Sequence, residues 1–138
     1  MPKEREPKTH ELSSLDFVEG VLLATAKRTA SPLRFTKYDP KIHAAFARTY
    51  EALIERAETE GLDLSFTIWP DQIHGDSQTL AAAFEELLVC GQLKLEDGNF
   101  RWLRFEVESS RIDPKMDRLP GPSELYDELA IIFGRALE

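Results

Sequence analysis

An α+β fold, with helices packed on a small sheet, is what this sequence predicts, and three observations carry that reading. Four segments place apolar residues at helical spacing, two short segments between them alternate apolar and polar residues, and residues 92–108 read as two strands around Asp97 and Gly98. The expected order is α-β-α-β-α-β-β-α.

Residues 1–12 mix charges without an apolar stripe and read as a disordered arm, leaving 13–138 as a single α+β domain. The first helix is expected from Ser13 or Ser14, because Ser13 with Asp16 makes a capping-box-like start. It runs to about Thr29 on a stripe containing Leu15, Val18 and Leu22. Asp16 and Glu19 near its start and Lys27 and Arg28 near its end suit the helix dipole.

After Pro32, residues 33–37 form a short strand. Asp39 then supplies an N-cap and Pro40 a first-turn proline for a long helix carrying Ile42, Phe46, Tyr50, Leu53 and Ala57. Gly61 is placed to stop it. Strand-like alternation returns over 62–68. A third helix begins near Asp76 or Ser77, turns Leu80, Phe84, Leu87 and Leu88 inward, and stops at Gly91.

In the returning strand of the hairpin, Phe100 and Trp102 hold one phase and Leu103, Phe105 and Val107 the other. That switch predicts a bulge near Trp102, or a strand buried on both faces. Residues 109–122, with Pro114, Pro120, Gly121 and Pro122, read as a surface loop, and a last helix runs from Ser123.

Charge narrows the function classes. The chain of 138 residues carries a formal charge of −8. Residues 1–48 hold nine Lys/Arg against six Asp/Glu, and residues 49–138 hold eight against nineteen. Such an acidic surface repels phosphate backbones at long range and argues against general coating of nucleic acid. Apolar runs as short as Val21–Ala24 cannot cross a membrane. With Cys90 the one cysteine, no intrachain disulfide can form, and a cytoplasmic protein is the expectation.

Residues 33–43 align without a gap on residues 64–74, with five identities, which suggests a weak βα repeat. The alignment pairs His43 with His74 and brings Asp39 and Asp71 into comparable places. A small enzyme would use these four as a metal or acid/base site, although structural imidazoles bonded to backbone explain them as well. No metal-ligand spacing, phosphate-binding loop or nucleophile elbow is present, so no cofactor is expected. Cys90, with Glu85 and Glu86 as its nearest charges, reads as a core thiol.

Residues 69–108 resemble the core of a winged helix-turn-helix. The resemblance rests on Ile73, on Leu80, Phe84 and Leu87, on Gly91, Leu93 and Leu95, and on the aromatic-rich strand after the turn. It implies a recognition helix over 77–90 and a wing over 92–108. Here the preceding helix is compressed into residues 70–74. The outward positions Gln78, Thr79, Ala81, Ala82, Glu85 and Glu86 include no cation. A DNA-binding regulator would depend on Lys94, Arg101 and Arg104, and protein docking suits the surface better.

The second helix opposes its own dipole. Lys41 stands near its start, while Glu55, Glu58 and Glu60 crowd its end, with Asp63 just beyond. These four form an acidic knob, read as the docking point of a protein partner or of a second copy. The sequence therefore points first to a non-enzymatic interaction or regulatory module. A DNA-binding regulator and a small His/Asp enzyme are the alternatives.

Overall fold

The computed structural model describes residues 11–29, 33–37, 39–68, 78–96 and 99–137; the side chains of 99–101 fall outside that description. Helix α1, Ser14–Thr29, forms the centre. Ser13 Oγ accepts a hydrogen bond from the Asp16 amide at 3.1 Å, satisfying a first-turn donor. Every residue from Phe17 to Ala26 except Glu19 is buried, so α1 is covered on nearly all sides, by α3, Gln78–Val89, α4, Ser109–Asp117, and α5, Ser123–Leu137.

Full burial leaves one polar atom of α1 stranded. The Thr25 hydroxyl is buried with no hydrogen-bond partner among the described residues. Desolvating such a group costs roughly 1–3 kcal/mol. Thr25→Val keeps the branched shape and removes the oxygen. It is expected to stabilise the fold by about 1 kcal/mol, read as a higher urea midpoint with an unchanged slope.

Helix α2, Pro40–Glu60, begins and ends where its sequence signals lie. The Asp39 carboxylate accepts from the Lys41 amide at 2.9 Å, and Gly61 takes the left-handed conformation at φ 70° that a side chain disfavours. Its buried face, including Phe46, Tyr50 and Leu53, lies mainly on α5.

Two small sheets complete the fold. In one, β2, Leu33–Thr36, and β4, Leu93–Glu96, flank β5, Asn99–Phe105, in antiparallel order β2-β5-β4. The hairpin pairing slips between Leu95, opposite Leu103, and Glu96, opposite Asn99. The irregularity spans the position where the phase switch predicts a bulge. The turn residues 97–98 lie outside the described set.

The second sheet is a parallel pair of two-residue strands, β1, Glu11–Leu12, and β3, Asp63–Leu64. Leu12 is buried and Glu11–Leu12 is a strand, whereas the sequence reading extends a disordered arm through residue 12. Within the expected strand 62–68, only Asp63–Leu64 pairs. Leu62 and Ile68 are nonetheless buried and Leu64 and Phe66 partly so, with Asp63, Ser65 and Thr67 exposed, as the alternation requires.

A further difference is α4. Residues 109–122 were expected as loop, yet Ser109–Asp117 is helical despite Pro114. Ile112 and Met116, one turn apart, are buried against the core, and that burial outweighs the lost backbone donor. The mixed fold class holds, with β1 and α4 added to the expected order.

Candidate interaction surfaces

The helix order decides where the charged residues stand. The acidic end of α2 is exposed at Glu55 and Glu58, and Asp63 is exposed just beyond on β3. None of these three forms an ion pair among the described residues. Register places Asp63 directly beside Glu11 of β1, adding a carboxylate that sequence spacing alone could not supply.

Glu60 departs from the expected knob. Its carboxylate accepts from Arg56 Nη2 at 3.1 Å, and the same guanidinium bridges to Glu128 of α5. Glu60 thus braces the Arg56 side chain that ties α2 to α5, and the patch consists of Glu55, Glu58 and Asp63.

Three described cations of the first half are paired away from this patch. Lys27 pairs with Asp113 of α4 at 3.0 Å, Lys37 with Glu85 of α3, and Arg34 Nε with Glu96 of β4 at 2.5 Å. The Asp113 carboxylate also holds the Lys27 ammonium charged, raising its pKa above the ordinary lysine value.

Across the sheet, a second surface emerges that no single segment reveals. Arg34 of β2 is the register partner of Arg104 of β5, which is in turn the partner of Lys94 of β4. All three side chains are exposed, so three cations stand in one row on the outer face. Like charges directly opposite each other oppose strand pairing, by roughly 0.2–1 kcal/mol per pair. The Arg34 guanidinium lies 4.1 Å from the centre of the Trp102 ring, and Arg104 pairs with Glu106 at 3.2 Å. Lys94 forms no ion pair among the described residues. Arg101 lies in β5, with its side chain outside the described set.

The outward face of α3 carries Gln78, Ala82, Glu85 and Glu86, with Thr79 half-buried. Ala81, expected among them, is buried. Cys90, expected in the core, is exposed because it follows the last helical residue, off the stripe of Leu80, Phe84 and Leu87. The neighbouring Val89 is also exposed.

His43 is fully buried, its Nε2 2.6 Å from the Lys37 carbonyl and its ring edge-on to Phe84. It pins the turn between β2 and α2. Asp39 is occupied as the α2 cap. His74 and Asp71, the other two residues of the expected acid/base site, lie outside the described residues. The two aligned segments differ in pairing. Leu33–Thr36 runs antiparallel to β5, whereas Leu64 runs parallel to β1. Among the described residues, no group of three or more His, Cys, Asp or Glu side chains is placed to hold a metal ion, and no helix is long and apolar enough to cross a membrane.

Comparison with family models, with curated proteins and with solved structures finds no match to this chain.

Proposed function

We propose that the chain is a non-enzymatic interaction or regulatory module of winged-helix-like type, whose protein partner docks on the acidic end of α2. The observation that carries this reading is the exposed group Glu55, Glu58 and Asp63. These carboxylates form no ion pair among the described residues, and they crowd the helix end where negative charge is least favoured. The winged-helix-like part rests on β2, which lies between α1 and α2 in sequence and joins the β4–β5 hairpin beside β5.

Protein docking is preferred to DNA reading because the helix that would enter a groove exposes Glu85 and Glu86. The cations Lys94 and Arg104 lie on the outer sheet face with Arg34, and not on that helix.

The test is the double variant Glu55→Gln and Glu58→Gln, which leaves the Arg56 bridge intact. At Glu58, in the last turn, the change relieves on the order of 0.3–1 kcal/mol of unfavourable dipole interaction at low salt. Thermal stability is expected to hold or rise while recovery of wild-type partners in pull-downs falls. Lower stability with unchanged partners would assign the cluster to the fold alone.

A further inference from the structure

Two exposed charge patterns of opposite sign remain on one chain, and they cannot neutralise each other within it. The acidic end lies far along α2 from the sheet. Some 22 Å of helix separates Pro40, which follows β2, from Glu55. α2 rests mainly on α5, and its far end lies beside β3. The cations of the row accordingly find their carboxylates elsewhere, at Glu96 and Glu106.

We infer that the outer face of the β2-β5-β4 sheet, with Arg34, Arg104 and Lys94 in one row, receives the acidic end of α2 from a second copy of this chain. The inference rests on the docking role proposed above for that acidic end, and it names the partner.

Three features of the face select a compact acidic patch over a polyanion. Adjacent strands lie about 4.8 Å apart, so three cations span only ~10 Å. A protein that holds a nucleic acid mainly through its phosphates commonly makes about 6–10 such contacts. Glu96 and Glu106 beside the row would also repel a continuous phosphate backbone, whereas two or three carboxylates can settle on the cations alone. The acidic end supplies that number, and none of its carboxylates Glu55, Glu58 and Asp63 is committed to another ion pair among the described residues.

The contact joins different patches on the two copies, so it is heterologous and head to tail. Its range is set by screening, since the net charge of −8 repels copies while the local patches attract.

Sedimentation velocity of the full chain tests the inference. At about 0.1 M salt the mean mass is expected to rise with concentration through successive sizes. At about 1 M, where the screening length falls from ~10 to ~3 Å, the protein is expected to be monomeric. Lys94→Glu with Arg104→Glu, or Glu55→Lys with Glu58→Lys, should lower the association constant at least about tenfold. Combining all four reversals leaves the net charge at −8, because the two pairs change it by equal and opposite amounts. Association is expected to return in that variant.

A wild type that stays monomeric at both salt concentrations overturns the inference. So does a fourfold variant that is folded by circular dichroism yet fails to associate, or a dimer that persists at high salt. Binding of a labelled single-stranded oligonucleotide that depends on Lys94 and Arg104, without self-association, would assign the row to a polyanion instead. The docking role is judged separately, since the Glu55→Gln, Glu58→Gln variant still loses its protein partners if that role is right and the second copy is wrong.

Discussion

Replacing Phe84 with alanine is expected to remove about 3–5 kcal/mol of folding stability, a large share of what a domain of this size holds. Phe84 is fully buried on α3 and packs against rings of two other elements, β2 and α2. Its ring centroid lies 5.0 Å from that of Phe35 on β2 and 5.8 Å from that of Phe46 on α2. It also lies 5.8 Å from the His43 ring, which pins the turn between those two elements. The aromatic contacts continue from Phe46 to Phe133 of α5 at 4.5 Å. Truncation would leave a cavity where sheet, α2 and α3 meet, and packed rings on several sides cannot all collapse into it. Phe84→Leu keeps most of the volume and should cost clearly less than the alanine change. Urea unfolding reads both effects as midpoint shifts. An alanine variant within about 1 kcal/mol of wild type would show that α3 does not anchor the sheet.

The elements legible in the sequence are those whose signals are local. Ser13 before α1, Asp39 and Pro40 before α2, and Gly61 and Gly91 after α2 and α3 each act through their nearest neighbours. So does the alternation from Leu93 to Glu96, although Leu95, in the inward phase, remains exposed near the sheet edge. What sequence reasoning missed is nonlocal. Glu11 and Leu12 are a strand only because Asp63 and Leu64 lie beside them, 52 positions later in the register. Pro114 argued for a loop, and only burial of Ile112 and Met116 reveals a helix.

The candidate surfaces divide in the same way. Crowding of Glu55 and Glu58 at a helix end is visible in sequence, but the capture of Glu60 by Arg56 depends on how α5 presents Glu128. Lys94 and Arg104 stand out as wing cations, whereas Arg34 lies in a separate segment before α2. Only the strand register, Arg34 to Arg104 to Lys94, makes them one row. The available signal was that all three occupy the outward phase of their strands.

Alanine is expected to have opposite effects at two helical glycines, a loss of about 1–3 kcal/mol at Gly20 and a gain of about 0.5–1 kcal/mol at Gly134. In both helices, alanine relieves the backbone entropy that glycine costs. At Gly134 nothing would lie within 4 Å of the new methyl, so only that gain applies. At Gly20, where α1 crosses α5, the methyl would fall on the Tyr126 ring, 2.5 Å from Cε1, and 3.1 Å from Leu119 Cδ1. The ring has little freedom to move aside. Tyr126 is fully buried, and its hydroxyl donates to the Pro120 carbonyl. Burial also pushes the phenol pKa upward, so the hydroxyl keeps its proton and the anchor persists across ordinary pH. Relief of the overlap must therefore come from separating α1 and α5, and α5 also supports the acidic end of α2 through Glu128 and Arg56. Shortening the ring should recover part of the loss. In the double variant Gly20→Ala, Tyr126→Leu, the total destabilisation is expected to fall below the sum of the single changes, because both act on one contact. Additive losses measured by urea unfolding would place the cost of Gly20→Ala away from the Tyr126 ring.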